Sequence, residues 1–459
     1  MCHDEPASIF TPSAHVPRLG RRLSGLVVLA GVLLGTAGVA WGGIEFGPLC
    51  GAVTSNSAEI RVSVSPGVEP WSLVARPTGR GGEVVSASGM PVSEGSAMRS
   101  FRLGGLDPET EYDYAVVEGS GSMGVAATGR FRTFPARAAS FRFAFSSCAR
   151  TGSDHEVFSA IRAADPLFFM NIGDLHYEDI ARNDPAAFRA AYKRVFTAGR
   201  QAALLRAAPF VYVWDDHDFG PGNSDRSSPS REAARLAYRE VVPHYPLAFG
   251  DGDEAVAQAF SVGRARFLVT DLRSERSPSG DADNKRKTML GDLQKEWLKR
   301  EVLATHKTHA VIFWVSSVGW IARARRGSDD WGAYDTERRE LARFFAENEV
   351  RNLIILSGNA HMLAADDGSN TRIVDGDGSA AAPLAVFQAA PLDQAASYKG
   401  GPYSHGAYLP GAAEGCFGLV EVEDDGSRVK VVFSGRNHLQ EEKIRLAIDV
   451  PAEEVAKGE

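Results

Sequence analysis

The sequence has no excess of positive charge. Its 459 residues carry 50 lysines and arginines against 58 aspartates and glutamates, a formal net charge of −8. A non-specific nucleic-acid binder needs a basic surface that displaces counterions from phosphates. The composition therefore disfavours that class of protein, and no nucleic-acid-binding surface is evident. It leaves a small anionic substrate open, because bound metals or a few arginines reverse the sign of the charge locally.

Cysteine is also scarce. The four cysteines are Cys2, Cys50, Cys148 and Cys416, and no two of them have the spacing of a zinc finger or a redox motif. Cys50 and Cys416 both stand in apolar surroundings, which fits two buried free thiols or, as an alternative, a disulfide between them. Cys148 is different, because it follows a predicted strand and is followed by polar residues.

Only one apolar run is long enough to approach the thickness of a bilayer. It covers 23–41, follows the paired arginines Arg21 and Arg22, and ends in small residues. This order is typical of an export signal, and a retained N-terminal membrane anchor is the competing interpretation. The arginine pair favours twin-arginine export. We therefore expect 1–42 to be a signal or anchor and the protein to be periplasmic, extracellular or at the cell surface.

Residues 44–135 have the pattern of a small all-β domain. Short segments alternate apolar and polar residues and are interrupted by Gly and Pro turns every eight to twelve positions, which predicts a β-sandwich. The stretch GGLDPETEYDYAVV resembles the corner and strand of a fibronectin type III module. Either Tyr112 or Tyr114 would occupy the tyrosine-corner position.

Residues 140–450 have a different pattern, in which apolar β runs alternate with amphipathic helical segments. This alternation indicates an α/β domain. Most of the β runs end in Asp, His, Cys or Asn, and ligands bind beyond the carboxyl ends of strands in open α/β sheets. The sequence therefore predicts a functional site assembled from several strand ends.

Four clusters stand at these strand ends: SSC at 146–148, GDLHYED at 173–179, WDDHDFGPGNSD at 214–225 and LSGNAH at 356–361. Carboxylates suit hard cations, imidazole suits transition metals, and thiolate suits a softer or strongly Lewis-acidic ion. A phenol ligand such as Tyr177 requires an ion acidic enough to remove its proton. The clusters together predict a metal centre.

The order of these motifs resembles calcineurin-like metallophosphatases, in which GD, GNH and GHxH motifs end successive strands. A cysteine in the first motif, a tyrosine three residues after GD, WDDH, LGDLQKEWL at 290–298 and DDWGAY at 329–334 are similar to the alkaline phosphatase D (PhoD-like) family. The resemblance implies a four-layer α/β/β/α metallophosphatase domain preceded by a fibronectin III-like sandwich. It also implies a phosphoester substrate.

The resemblance implies ferric iron and calcium as cofactors, with other divalent metals as alternatives. It implies that the metal ligands are Cys148, Asp174, Tyr177, Asp216, Asn223, Asn359 and His361. Two positions depart from the family pattern: Asn359 stands where an aspartate is common, and Gly222 stands where an asparagine is common. The first departure bears on the ferric assignment, because an amide is a weaker donor than a carboxylate.

The implied function is exported metal-dependent phosphoester hydrolysis of the alkaline phosphatase or phosphodiesterase type. A metal-bound hydroxide would attack phosphorus while His217 assists the leaving oxygen, and Asp215 would orient His217. Loop arginines would clamp the phosphate, the candidates being Arg226, Arg323, Arg325 and Arg326. The alternative is a non-catalytic surface or interaction protein that retains the metallophosphatase fold.

Overall fold

The computed structural model describes residues 43–67, 69–79, 82–119, 124–371 and 383–450. The predicted signal or anchor at 1–42 lies outside these residues. Within them, every helix is too short or too polar to cross a membrane.

An all-β sandwich begins the described part of the chain. Two antiparallel four-stranded sheets, in the orders β1-β2-β6-β5 and β4-β3-β7-β8, form it and confirm the predicted all-β domain ahead of the α/β domain. The strands are β1 (Ile44–Gly51), β2 (Ser57–Val64), β3 (Trp71–Pro77), β4 (Val85–Ser88), β5 (Met90–Pro91), β6 (Met98–Gly104), β7 (Glu111–Glu118) and β8 (Val125–Arg132).

The tyrosine corner of this sandwich is formed by Tyr112. Its hydroxyl accepts a hydrogen bond from the backbone N–H of Asp107, five residues upstream, at 3.0 Å. Tyr114 is buried in the core, and its hydroxyl has no hydrogen-bond partner among the described residues. Cys50 and Cys416 are separate buried free thiols, so the disulfide alternative is wrong.

The second domain contains strands of both orientations and seven α-helices among the described residues. The strands are β9 (Phe141–Ser146), β10 (Phe169–Ile172), β11 (Phe210–Val213), β12 (Gln258–Val262), β13 (Ala265–Val269), β14 (Val311–Ser316), β15 (Leu353–Ser357), β16 (Leu363–Asp366), β17 (Ala385–Ala389), β18 (Ala407–Tyr408), β19 (Cys416–Asp424), β20 (Val429–Asn437) and β21 (Glu442–Val450). The helices are α1 (Glu156–Ala163), α2 (Pro185–Thr197), α3 (Gly199–Ala207), α4 (Asp216–Phe219), α5 (Arg231–Val241), α6 (Asp292–Thr305) and α7 (Asp335–Glu347), with a 3₁₀ helix at Trp331–Tyr334.

Two mixed sheets organise these elements. The first has the order β11-β10-β9-β19-β20-β21, with β9, β10 and β11 parallel. The second has the order β12-β13-β14-β15-β17-β16-β18, with β13, β14, β15 and β17 parallel. The carboxyl ends of the parallel strands carry the polar clusters that the sequence analysis identified.

Alternation along the strands of the second sheet produces the layers. Phe267, Phe313 and Ile354 belong to the core that is shared with the first sheet. The residues next to them in sequence, such as Leu268 and Ile312, belong to a separate core with α6 and α7. Because successive strand residues face opposite sides, the second sheet packs between the first sheet and these helices. Helices α1, α2, α3 and α5 pack in the core of the first sheet, which completes the four-layer α/β/β/α fold.

Aromatic rings hold the two sheets together. The ring of Phe143, in β9, meets those of Phe267 and Phe313 edge-on, with centroid separations of 5.2 and 5.3 Å. Edge-to-face pairs add favourable quadrupole contacts to the burial of apolar surface. This aromatic contact fixes the two parallel sets of strands against each other.

Helix α2 begins directly after the segment that carries the second polar cluster. The Asp184 carboxylate accepts hydrogen bonds from the backbone N–H groups of Ala186 and Ala187, and Pro185 occupies the first turn. Both features stabilise a helix N-terminus. The cap anchors the end of the 173–183 segment.

The sandwich packs against the second domain through buried polar groups. The guanidinium of Arg61 donates to the carbonyl oxygens of Arg239 and Glu240 at 2.6 and 3.2 Å, and it also pairs with Glu59 at 2.8 Å. The Tyr245 hydroxyl donates to the carbonyl oxygen of Val53 at 2.7 Å. These hydrogen bonds fix the boundary between the sandwich and the second domain.

Candidate metal centre

The turns after four parallel strands bring the predicted ligands together. Cys148 follows β9, Asp174 follows β10, Asp216 follows β11, and Asn359 and His361 follow β15. Four of the five adopt left-handed backbone conformations, with φ of 63° at Cys148, 53° at Asp174, 58° at Asn359 and 50° at His361. Such conformations are unfavourable for residues other than glycine, and they concentrate at functional sites.

One set of donors gathers around Cys148. Donor atoms of Cys148, Asp174 and His361 all lie within 4.8 Å of one another. The Tyr177 hydroxyl donates to Asp174 Oδ2 at 2.8 Å and lies 3.2 Å from His361 Nε2, while Cys148 Sγ lies 3.4 Å from the same Asp174 oxygen. A thiol, a phenol, a carboxyl group and an imidazole therefore converge on one point.

A second set shares Asp174 with the first. Donor atoms of Asp174, Asp216 and His217 also lie within 4.8 Å of one another. Asp174 Oδ1 and Asp216 Oδ1 are buried and have no hydrogen-bond partner among the described residues, although Arg273 Nη2 lies 3.6 Å from Asp216 Oδ1. A buried carboxylate oxygen without a partner is costly, and a cation would remove that cost. The two donor sets therefore fit two metal ions that share the Asp174 carboxylate.

The electrostatic environment of these side chains also favours a bound metal ion. Burial, followed by the negative charges of Cys148 and Asp216, holds the pKa of Asp174 well above its usual range. Burial also raises the pKa of the Cys148 thiol to about 11. These groups repel one another when all are ionised, and a metal ion stabilises the deprotonated forms that bind it.

His217 has a carboxylate partner, but this partner is Asp179. His217 Nδ1 lies 2.7 Å from Asp179 Oδ1, and the His217 ring stacks on that of Tyr177 with centroids 4.0 Å apart. Asp215 instead accepts hydrogen bonds from Arg273 Nε at 2.6 Å and from the Ser317 hydroxyl at 2.8 Å. The expectation that Asp215 orients His217 is therefore wrong: the Asp215 side chain is directed to the buried arginine.

Arg273 connects the carboxylates behind the centre. Its guanidinium is fully buried and binds both oxygens of Asp329 at 2.8 and 2.9 Å, in addition to Asp215. Burial raises the pKa of Asp329, but Arg273 and Arg276 outweigh it and hold that pKa well below its usual range. The loop arginines proposed as phosphate clamps are all exposed, namely Arg226, Arg323, Arg325 and Arg326.

Asn359 lies at the centre, but both ends of its amide have protein partners. Its Nδ2 donates to Asp329 Oδ2 at 2.9 Å, and its Oδ1 accepts from Lys399 Nζ at 3.1 Å. Its backbone N–H donates to the Ser147 hydroxyl at 3.1 Å, next to Cys148. The predicted ligand is thus at the expected position with its oxygen directed to a lysine.

Asn223 and Gly222 lie over the second donor set. The backbone N–H of Asn223 donates to Asp216 Oδ2 at 2.5 Å, whereas its side chain is exposed. A Cβ on Gly222 would come within 3.1 Å of the His217 ring. The absence of a side chain at 222 therefore lets this loop approach His217 closely.

Four residues of the site were not predicted from the sequence: Asp179, Arg273, Asp329 and Lys399. Asp179 and Asp329 belong to the motifs GDLHYED and DDWGAY, so the residue types were visible. Arg273 follows a β run, as the predicted ligands do. Lys399 stands in a loop of no regular pattern, and its position depends on tertiary contacts.

A four-layer fold with sulfur, oxygen and nitrogen donors at its strand ends defines the metallophosphatase class. The chain belongs to the PhoD-like phosphatase family, whose sequence profile matches residues 143–400. This match covers more than half of the chain and includes every predicted ligand.

Individual relatives agree with this family. Alkaline phosphatase D of Bacillus subtilis (strain 168) is 26% identical over 310 residues, which cover 56% of this chain and 52% of that protein. The chain thus matches about half the length of this relative. A solved structure of PhoD superposes with a TM-score of 0.69 at 17% identity, covering 92% of this chain and 95% of the other. Purple acid phosphatase PPD1 from yellow lupin (Lupinus luteus) seeds gives 0.60 at 11% identity, covering 89% and 74%. These two superpositions extend the shared fold to nearly the whole described chain.

Proposed function

We propose that this protein hydrolyses phosphoesters at the metal centre. The observation that carries the proposal is the Asp174 carboxylate, which belongs to both donor sets and has a buried oxygen without a partner. Membership of a phosphatase family supports the same activity. A protein that merely retained the fold would gain nothing from two clusters of buried, mutually repelling donors.

Cys148, Asp174, Tyr177 and His361 would hold one metal ion, and Asp174 and Asp216 would hold the other. Bound metal ions would supply Lewis acidity that activates water and neutralises charge developing on the phosphoryl group. The donor chemistry fits ferric iron in the first position, because phenolate and thiolate favour a strongly acidic ion, and calcium in the second. Asn359 supports the centre through Lys399 and Asp329 rather than as a ligand in this arrangement.

His217 is the proposed proton donor to the leaving oxygen. Because an ionised Asp179 carboxylate only accepts hydrogen bonds, His217 Nδ1 must carry a proton. Nε2 faces the metal centre, 3.9 Å from Asp216 Oδ2. Asp179 thus fixes the orientation of the ring, so that a proton on Nε2 is directed toward the departing alkoxide.

Hydrolysis of p-nitrophenyl phosphate and bis-p-nitrophenyl phosphate tests this function. Wild-type protein loaded with metals should hydrolyse at least one of them, and His217→Ala should lose roughly 10²–10⁴-fold in kcat. His309→Ala is the matched control, because His309 precedes β14, at the end of that strand opposite to the carboxyl end, and its ring hydrogen-bonds to the hydroxyls of Ser261 at 3.2 Å and Thr308 at 3.1 Å. Turnover of neither substrate, or equal rates for wild type and His217→Ala, would contradict the proposal.

The ferric assignment has its own test. Tyrosinate bound to Fe³⁺ should produce a visible charge-transfer band, and elemental analysis should find iron. Tyr177→Phe should remove the band while the far-ultraviolet circular dichroism spectrum stays unchanged. An active, colourless protein without iron would exclude iron from the first position.

We also propose that the protein is exported. The paired arginines Arg21 and Arg22 and the apolar run at 23–41 that follows them support this proposal. N-terminal sequencing of protein recovered outside the cytoplasm should give a start near residue 42 if the signal is cleaved, or an intact N-terminus in the membrane fraction if it is an anchor. Arg21→Lys combined with Arg22→Lys should block export through the twin-arginine route. Recovery of wild type in the cytoplasm alone would contradict export.

A further inference from the structure

Lys399 lies beside the metal centre on a segment that is fixed to the turn after β15. Its ammonium donates to the carbonyl oxygen of Asn359 at 3.0 Å and to Oδ1 of the same residue at 3.1 Å. In the same segment, Ala395 O contacts His361 Nδ1 at 2.7 Å, and Ser397 N–H donates to His361 O at 3.2 Å. Four hydrogen bonds therefore hold the segment 395–399 against the turn after β15, and Lys399 makes two of them.

The orientation of the Asn359 amide explains how Lys399 is held. The nitrogen of the amide donates to the Asp329 carboxylate, which leaves the oxygen as the end that faces Lys399. The opposite assignment would direct an N–H group toward an ammonium, which is unfavourable. Asp329 thus fixes Asn359, and Asn359 fixes Lys399.

Lys399 differs from the other cations near the centre in its lack of an anionic partner. Arg273 is paired with Asp215 and Asp329, and Arg276 is paired with Asp329 at 2.7 Å. Among the described residues, no carboxylate oxygen lies within 4.0 Å of Lys399 Nζ, and the ammonium donates to two neutral oxygens of Asn359. An ammonium has three N–H donors, so one remains for a further acceptor.

We propose that Lys399 binds a phosphoryl oxygen of the substrate and favours phosphomonoesters over phosphodiesters. This inference rests on the proposed hydrolase function. A monoester carries close to two negative charges at neutral pH, because its second pKa is about 6, whereas a diester carries one. The metal ions interact with both classes. An additional unpaired cation at the rim of the centre interacts more strongly with the doubly charged group.

Kinetics of Lys399 variants test this inference. We expect Lys399→Met to raise KM for p-nitrophenyl phosphate and the inhibition constant of inorganic phosphate about tenfold, the effect of one charge-assisted hydrogen bond. KM for bis-p-nitrophenyl phosphate should rise less, by about threefold, because the diester carries half the charge and the Coulomb energy scales with charge. Lys399→Arg should retain most of the preference for the monoester.

Two controls separate substrate binding from structure. Lys430→Met removes a partly exposed lysine of β20, the strand next to the edge strand β21 of the first sheet. Its ammonium lies 3.9 Å from Glu423, and the substitution should leave all constants unchanged. Elemental analysis should give equal metal contents for wild type and Lys399→Met. The inference would be overturned if Lys399→Met raised KM equally for both substrates or left KM and the phosphate inhibition constant unchanged. It would also be overturned if a lower metal content explained the rise in KM.

Calorimetric titration with inorganic phosphate keeps this inference separable from the proposed function. Turnover of neither ester by the wild type would reject the hydrolase proposal, and the titration would still decide the role of Lys399. The inference is supported if metal-loaded Lys399→Met binds phosphate about tenfold more weakly than metal-loaded wild type does. Identical binding by the two proteins contradicts it.

Discussion

At the scale of single residues, the contact between Asp179 and His217 determines what the histidine can do. The Asp179 side chain is about half exposed, at 49%, and that of His217 is 26% exposed. An interaction this close to solvent contributes little to the stability of the fold. Its value lies in fixing the orientation of the His217 ring.

We therefore predict that Asp179→Asn lowers kcat by roughly tenfold and leaves the melting temperature almost unchanged. The double variant Asp179→Asn/His217→Ala should be no slower than His217→Ala alone, because the two residues act as a unit. Steady-state kinetics of the three variants provide the measurement. Multiplicative losses in the double variant would show that Asp179 acts independently of His217.

The sequence predicted which strand-end donors come together better than it predicted the residues that support them. Cys148 and Asp174 follow apolar strands directly, so their convergence could be expected from the geometry of parallel sheets. Asp215 has the same sequence signal, but its partner is Arg273, 58 residues along the chain. Which of two neighbouring carboxylates faces a histidine depends on tertiary contacts that strand periodicity does not encode.

At the scale of elements, the first turn of α7 contains a buried carboxylate outside the metal centre. Glu337 accepts hydrogen bonds from the Thr288 hydroxyl at 2.8 Å and from the backbone N–H of Met289, while Lys295 Nζ lies 3.9 Å away. Burial raises the pKa of Glu337 to about 7. The folded protein thus binds the Glu337 proton more tightly than the unfolded chain does.

The raised pKa of Glu337 makes the free energy of unfolding depend on pH. The contribution of Glu337 is complete below its ordinary pKa of 4.5 and is lost as the pH rises through about 7. The melting temperature of the wild type should therefore fall between about pH 5 and pH 8, and Glu337→Gln should remove this fall. We expect the variant to be the more stable protein at pH 8 and close to wild type at pH 5.

Glu340, three residues later in α7, is the matched control. Burial opposes the shift, but Lys299 and Lys295 hold the pKa of Glu340 below its ordinary value. Its contribution is present above that ordinary value and is lost as the pH falls, so Glu340→Gln should not change the slope above pH 5. Parallel slopes for wild type and Glu337→Gln would show that Glu337 does not titrate in this range.

The elements themselves were largely predictable. The period-two pattern at 44–135 predicted the sandwich, and the alternation of apolar runs with helical segments predicted the α/β domain, because both patterns reflect which side of an element is buried. The sequence did not decide whether Tyr112 or Tyr114 forms the tyrosine corner, because both residues are buried on β7. Only the position of the Asp107 backbone distinguishes them.

At the scale of the whole molecule, Arg61 joins the sandwich to the second domain and also forms a buried ion pair with Glu59 of its own strand, β2. Arg61 and Glu59 are 3% and 8% exposed at their side chains, and Arg61 also binds two carbonyl oxygens of α5. Removal of one member of a buried pair leaves the other charge without compensation. The boundary between the domains is therefore sensitive to a single substitution.

We predict that wild type unfolds in one calorimetric transition and that Arg61→Met is less stable by about 3 kcal/mol or more. The double variant Arg61→Met/Glu59→Gln should recover part of this loss, because it removes the uncompensated charge. Scanning calorimetry provides the measurement. Two well-separated transitions in the wild type would show that the two domains unfold independently.

The central claim is that the centre shared by Asp174 hydrolyses phosphoesters with metal. Its most direct test is p-nitrophenyl phosphate hydrolysis by protein stripped with a chelator and then resupplied with iron and calcium, for wild type and Asp174→Asn. We predict that wild-type activity disappears on stripping and returns with metal, whereas Asp174→Asn stays inactive throughout. Activity that survives chelation, or full recovery by Asp174→Asn, would contradict the account.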